Sequence, residues 1–539
     1  MKSRQCLFTP PHCLLYLISK SSFISHSFSI YIQSDRPLFL LLSSAPFFAP
    51  FTFINSFIMA DATALIETKV ELPSSPLRLW ISAIVLALSG GFHFGYNLVI
   101  TNPAQDAFLK FLNESSGPMS NDSLNNYWPI IVSLLYFGGI FGSFYIRIAA
   151  DRLGRKRSIY LTTVGQTISC LLSTLSYFIL SAHLYAFSRF LLGFFQSMAV
   201  GIAPLFISES SPPHIRGRIS LSTGLFVQLS IVVGSIIAMP QILGDSWYIL
   251  YVVEVIILLI PLLTIPFFPD SPSYLAVQGQ TDASLRSIIF YHGGDENYSF
   301  SVLGKFVEEA NEKEETVGIW KVFTERINRE PVMNGCMVML AMISSGIVVI
   351  NGYAVNILVQ VGLSIGSAAW ANIGISVIAV VGCLLSSFFV DRYGRRPLLL
   401  STLTLILISN MSIVVLMYLF EITENVFYGQ LLLIPICIYA LLFSTGPAPL
   451  SFFISAELCS LSIRGSAMTW ANVTNAVYRS IVLAIFPPLV LLYSTSTIYF
   501  ILFLPISLFT LIYLFVYLPE TKPKKRESTM EKSRVLIAH

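Results

Sequence analysis

Twelve runs of roughly 20 mostly apolar residues follow one another after residue 75. That repetition constrains the chain more than any other feature, because a helix of about 20 apolar residues is what crosses a bilayer. The runs lie at about 79–100, 128–149, 158–180, 183–207, 219–242, 247–268, 332–358, 367–390, 397–420, 429–455, 466–488 and 493–518. Barrel strands would instead read as ~10-residue alternating segments. Composition agrees: charged residues are 11% of the 539, against about 25% in an average soluble domain. A soluble enzyme and a disordered chain are thereby excluded. A net charge of +3 is too small and too scattered for a nucleic-acid binder. The seven Cys are odd in number and give no disulfide framework.

Lys and Arg placement orients the spans. Arg152, Arg155, Lys156 and Arg157 follow the second span, Arg216 and Arg218 the fourth, Arg392, Arg395 and Arg396 the eighth, and Arg464 the tenth. Lys522, Lys524, Lys525 and Arg526 lie in the tail, and the opposite loops contain one basic residue, Lys110. Both ends of the twelve-helix unit are therefore expected in the cytoplasm, with the acidic loop 269–331, which is predicted to be helical over Gly304–Phe323 and solvated. The sequons at Asn113 and Asn121 fall in the first outside loop, where N-glycosylation is expected. Residues 1–58 are rich in Ser, Phe, Leu and Pro and show no signal-peptide pattern. They read as a dispensable or misannotated extension, with Met59 beginning a cytoplasmic segment over 59–78.

The two halves, 79–268 and 332–518, repeat each other. Asp151-Arg152-Leu153-Gly154-Arg155 follows the second span and Asp391-Arg392-Tyr393-Gly394-Arg395 the eighth. Glu209 precedes Arg216 by seven residues, as Glu457 precedes Arg464. Pro269-Asp270-Ser271 ends the sixth span and Pro519-Glu520-Thr521, opening the tail 519–539, ends the twelfth. Three signals in register imply an all-α membrane protein of the major facilitator fold, twelve helices in two six-helix halves.

The repeat makes the chain similar, over about residues 78–522, to the sugar porters of the major facilitator superfamily, nearest to the animal facilitative glucose transporters. Gly91-Phe92-His93-Phe94-Gly95-Tyr96-Asn97, Gln228-Leu229-Ser230, Gly446-Pro447-Ala448-Pro449 and Pro519-Glu520-Thr521-Lys522 carry the likeness. The resemblance implies a substrate site that includes Gln228, Ile231, Phe443 and Asn475. Asn351 is a further polar candidate on the seventh span. It also places Asn97 where proton-coupled relatives have Asp, and Asn cannot titrate. The seventh and tenth spans depart from the pattern: family amides become Met342, Ile343, Val348 and Ala379, and a Glu and a Trp become Ser444 and Phe452.

The charges have a physical reading of their own. Asp151, Arg155, Glu209 and Arg216, with Asp391, Arg395, Glu457 and Arg464, belong at helix ends on one membrane face. There they are expected to hold the halves together when that face closes, and to part when it opens. Arg189, within the fourth span, needs a partner or a water cavity, and the resemblance implies Asn97 as a candidate neighbour. Glu254 and Arg479 are further intramembrane charges with no partner evident in the sequence.

The expected function is facilitative transport of a hexose-like sugar by alternating access, in the plasma membrane. The alternatives are another small solute, or a transport-silent sensor on the same fold. No His/Cys cluster, phosphate-binding loop or nucleophile arrangement occurs, so no catalysis, cofactor or metal is expected. The partners are a small solute and the bilayer, not nucleic acid, and one copy suffices. Replacing both Asn113 and Asn121 by Gln should abolish the gel-mobility shift that a glycosidase produces. A shift that persists would place the glycan elsewhere.

Overall fold

Helices account for the architecture because a backbone in lipid must satisfy its own hydrogen bonds. A computed structural model describes residues 76–117, 120–213, 215–293, 296–311, 318–459 and 461–520. Residues 1–58, read above as an extension, and the tail cations lie outside the described residues.

The first span is α1 (Leu77–Ala87), a π-turn at Leu88–Phe92 and α2 (His93–Val99). The outer segment α3 (Gln105–Ser116) leads to α4 (Asn121–Leu153), α5 (Arg155–Ile179), α6 (Ala182–Ser210), α7 (Arg216–Ile237) and α8 (Trp247–Thr264). Three short helices follow: α9 (Pro272–Val277), α10 (Thr281–His292) and α11 (Glu296–Asn311). The second half comprises α12 (Arg326–Ser344) with α13 (Ile347–Gln360), α14 (Ile365–Tyr393), α15 (Arg395–Thr423), α16 (Val426–Leu431), α17 (Leu433–Thr445) with α18 (Pro447–Glu457), α19 (Leu461–Leu492) and α20 (Thr495–Tyr517).

Ten helices among the described residues are long and apolar enough to cross a membrane. The other two spans of the twelve-helix fold are α7, apolar over Ser222–Ile237, and α5. Helix α5 reads as too polar because it buries Ser158, Thr162, Thr163, Gln166, Ser169, Ser173 and Ser176 against its neighbours. Ser and Thr hydroxyls return to carbonyls three or four residues back, as Thr163 Oγ1 does to Ile159 O at 2.8 Å, so they cross at little cost.

Close approach replaces hydrophobic drive between the helices of each half. Gly138 and Gly142, four apart on α4, lie so close to α6 that an added Cβ would stand 2.0 Å from Phe190 O and 2.1 Å from Phe194 O. Gly193 on α6 returns the contact, 1.7 Å from Leu135 O. The two halves meet along α4 with α19 and α7 with α14.

At the Arg-rich end each half closes on itself. Gly154 (φ 85°, ψ 167°) and Gly394 (φ 94°, ψ 170°) make the same turn between α4 and α5 and between α14 and α15. The acid of the terminal motif then caps the following helix. Lys156 N donates to Asp270 Oδ1 at 3.0 Å and Arg395 N to Glu520 Oε1 at 3.2 Å. Burial pushes the Asp270 carboxyl up from its ordinary range.

The loop helices pack on this end of the first half. Ser287 Oγ donates to Asp270 O at 2.6 Å and Tyr291 Oη to Pro269 O at 2.9 Å. The sequence predicted one solvated helix over Gly304–Phe323; the described helix runs Glu296–Asn311, residues 312–317 lie outside the described residues, and a second helix precedes it whose Ser284, Ile288 and Tyr291 are buried. The hydrophobic face of α10 was hidden in the sequence by its Ser and His residues. Further on, Trp320 and Phe323 pack edge-to-face against Trp470, 5.2 and 5.0 Å between centroids. Phe144 of α4 stands 5.7 Å from the same ring. The loop thus ends on the α4–α19 seam.

Gly154→Ala should lower the melting temperature in detergent by several degrees. Its backbone occupies a region that costs other residues about 1–3 kcal/mol, and the new Cβ would meet Asp270 Oδ2 at 2.6 Å. Gly224→Ala, where nothing lies within 4 Å, is the control. Equal effects at both positions would contradict this account of the turn.

Candidate functional site

Two of the gate pairs lie within a half, Arg155 with Glu209 and Arg395 with Glu457. Arg155 grips Glu209 with two bonds, Nε to Oε2 and Nη2 to Oε1, both 2.9 Å. Ser271 Oγ adds a third to Glu209 Oε2 at 2.5 Å, and the Tyr274 ring covers the guanidinium at 4.9 Å. Asp151 is exposed, 3.9 Å from Arg155 and 3.5 Å from Arg147. In the second half Arg395 meets Glu457 at 3.4 Å, with Asp391 near the end of α14. Arg216 turns back on its own loop, to Ser211 O at 3.4 Å. Arg464 lies exposed on the first turn of α19. Arg147, which sequence reading missed, does cross the seam here; its Nη1 donates to Ser466 Oγ.

Deep in the first half, Glu254 of α8 has the partners that the sequence did not reveal. His93 Nδ1 is 3.1 Å and Asn97 Nδ2 is 2.6 Å from its Oε1. All three are buried, and His93 Nε2, Glu254 Oε2 and Asn97 Oδ1 have no hydrogen-bond partner. The π-turn that precedes α2 presents His93 and Asn97, one turn apart, to α8. Arg189 does not bond Asn97. Its Nη1 reaches Tyr251 Oη at 3.4 Å, and that hydroxyl is 2.9 Å from Tyr185 Oη. The His–Asn pair at i, i+4 was the available signal, and only the fold brings Glu254 to it.

A cavity opens between the halves, lined by Phe94 and Tyr136 from the first half, Gln196 of α6, and Asn472, Asn475 and Arg479 of α19. Asn475 is thus on the wall, where it accepts from Arg479 Nε at 2.9 Å. Gln228 reaches across the seam from α7 to Ser444 Oγ at 3.3 Å. Ile231 is buried, and Phe443 stacks on Tyr439 with centroids 5.9 Å apart. Asn351 is placed elsewhere, near the end opposite the Arg-rich one, where its carbonyl accepts from Asn102 Nδ2 at 3.3 Å. Asn356 Nδ2 donates to Gln105 Oε1 at 2.7 Å in the same region, so α13 meets the first half there through the Asn351 backbone and the Asn356 amide. Asn113 is exposed on α3, and the side chain of Asn121 lies outside what is described. Met342, Ile343 and Val348 are buried in the apolar core. Sequence reading passed over Gln196 and Asn472; a Gln in the middle of a 29-residue span and an Asn one turn before Asn475 were the signals.

Among the described residues no group of three His, Cys, Asp or Glu side chains is arranged to hold a metal. The arrangement can instead bind a polar solute by amides, a guanidinium and aromatic faces.

The sequence model of the family described as sugar (and other) transporter matches residues 83–532. Relatives include the facilitated glucose transporter member 7 of solute carrier family 2 from Mus musculus. It is 27% identical over 472 residues, spanning 85% of this chain and 91% of the relative. Member 4 from Homo sapiens is 28% identical over 408 residues, spanning 73% and 79%. Among solved structures, the partially occluded inward-open xylose transporter XylE from E. coli superimposes with a TM-score of 0.66 at 19% identity, covering 83% of this chain and 99% of that one. The proton:xylose symporter XylE bound to 6-bromo-6-deoxy-D-glucose gives 0.68 at 20% identity, covering 82% and 96%. With the twelve-helix fold, the repeated charge motifs and a polar cavity between the halves, the chain belongs to the sugar (and other) transporter family, as a multi-pass sugar porter of the major facilitator superfamily.

Proposed function

We propose that the protein carries a hexose-like sugar down its gradient by alternating access. Both ends of its twelve-helix unit would lie in the cytoplasm of a plasma-membrane carrier, with Asn113 and Asn121 outside. The observation that carries this reading is the distribution of polar contacts. Each half is knit by its own bidentate or capped charge cluster. The seam holds single contacts instead, such as Gln228 to Ser444, Asn372 Nδ2 to Ser235 Oγ at 3.3 Å and Ser480 Oγ to Ser133 O at 3.4 Å. Strong bonds within halves and weak ones between them suit two bodies that rock about a central site. Asn97 favours uniport, since an amide exchanges no proton.

A second reading has its own observation. His93 and Glu254 are both titratable, bonded to each other and buried, and a buried ionisable pair in a membrane helix bundle marks a proton or ion path more often than a structural one. Coupled transport would load this pair.

Uptake into proteoliposomes separates the two. Uniport predicts that labelled sugar equilibrates at the outside concentration whether or not the bath is made acidic. Several-fold accumulation driven by the proton gradient, and its loss in Glu254→Gln, would overturn uniport in favour of coupling. Glucose affinity should be weak. Each missing neutral hydrogen bond removes about 0.5–1.5 kcal/mol, so three or four of them remove roughly 2–5 kcal/mol, or about thirty- to several-thousand-fold. Affinity equal to that of an ordinary hexose carrier would contradict this view of the seventh span.

A further inference from the structure

Among the described residues, three Lys, Arg, Asp or Glu side chains are buried: Arg189, Glu254 and Arg479. Two cations stand against one anion. Glu254 is taken up by His93 and Asn97 in the first half, and Arg189 lies beside the Tyr185–Tyr251 hydroxyl pair. Arg479, like Arg189, has neutral company, but it stands on the cavity wall. Its Nε donates to Asn475, and its Cζ stands 5.9 Å from the centre of the Phe94 ring and 5.6 Å from that of Tyr136. Among the described residues no carboxylate pairs with it. At 4% exposure it is a buried guanidinium on the wall of the central cavity.

A guanidinium in a low-dielectric interior requires an anion or water. Aromatic faces and one amide oxygen lessen that demand without cancelling a full charge. Arg is also the side chain best shaped for a carboxylate, since its planar fork donates to both oxygens. The rest of the wall suits hydroxyls: Asn472 and Asn475 offer amides, and Gln196 Oε1 is buried without a partner. Arg479 is the charged residue that lines this cavity, and one guanidinium matches a monoanion. A phosphate ester, with a charge of about −1.5 to −2, would overshoot it.

We propose that the solute of this cavity is an acidic sugar, a polyhydroxylated monocarboxylate of hexose size such as a uronate or aldonate, and that Arg479 binds its carboxylate. The proposal rests on the reading of the chain as a sugar carrier working through this cavity. It names the charge that the solute carries. It also gives a reason for the loss of neutral hexose contacts at Met342, Ile343 and Val348: a pocket selected for a carboxylate depends less on matching every hydroxyl.

The test compares D-glucuronate with D-glucose on the purified full chain. Proteoliposome uptake is read with valinomycin-set potassium potentials, and ligand-induced stabilisation is read in detergent. Glucuronate uptake should exceed glucose uptake tenfold or more and should quicken when the interior is made positive. Arg479→Gln should lower the glucuronate-to-glucose ratio at least tenfold, with Arg479→Lys retaining an intermediate ratio. In detergent, glucuronate should raise the melting temperature of the wild type and not that of Arg479→Gln. If Arg479→Gln does not fold, the wild-type preference and the lysine variant decide. Glucose taken up at least as well as glucuronate would overturn the acidic-sugar assignment and leave the carrier reading standing. Stabilisation by glucuronate with no uptake of either sugar would overturn transport and keep the site. Neither uptake nor stabilisation would overturn both.

Discussion

Lipid is as apolar as leucine, so burying leucine between membrane helices gains nothing over leaving it in the bilayer. Specificity in this chain therefore falls to close backbone approach and to polar groups. Both are distributed unevenly. The glycine-mediated crossing of α4 and α6 and the capped, ion-paired turns at Gly154 and Gly394 lie within the halves. The contacts across the seam include Arg147 with Ser466 and a few amide and hydroxyl bonds. An exposed pair contributes only ~0–1 kcal/mol. The network of Arg155, Glu209, Ser271 and Tyr274 is partly buried and geometrically matched, so it serves as the rigid hub of its half.

The recurrence of the repeated charges suggested bonds that hold the two halves together when that face closes; the Arg155–Glu209 and Arg395–Glu457 pairs each lie inside one half. On the proposed rocking motion, such a brace would hold six helices together while the other six move. The bonds that would break are the weaker crossing ones: Asn102 and Asn356 at one end, Arg147 at the other, and Gln228 with Ser444 between them. The Trp320, Phe323 and Trp470 cluster joins the inter-half loop to the α4–α19 seam, where it can respond to the same motion.

Much of the fold was legible because its determinants are local. Apolar runs of about 20 residues mark spans, and even α5, with its buried hydroxyls, kept its place through the Arg-rich turn that precedes it. The Asp-Arg-x-Gly-Arg motif was legible as a repeat, but a repeat does not say which copy pairs with which. The loop helices were misjudged because α10 buries Ser and Tyr rather than a plain apolar stripe. The site was legible only in part. Asn475 lines the cavity as expected, while Asn351 does not, since its position along α13 carries it to the far end. The partners of Glu254 and the setting of Arg479 depend on helices brought together from distant stretches of sequence, and no local spacing encodes that.

The claim on which the rest stands is that two internally braced halves move as bodies. Spin labels at Arg157 and Pro213, both on the first half, and at Arg157 and Tyr393, one on each half, measure it directly; all three positions are exposed at the Arg-rich end. Between solute-free and solute-saturated protein the Arg157–Tyr393 distance distribution should shift by several ångströms while the Arg157–Pro213 distribution stays fixed. A change within the first half as large as the change across the seam would contradict the account, because the motion would then lie inside the unit that the Arg155–Glu209 cluster is said to hold rigid.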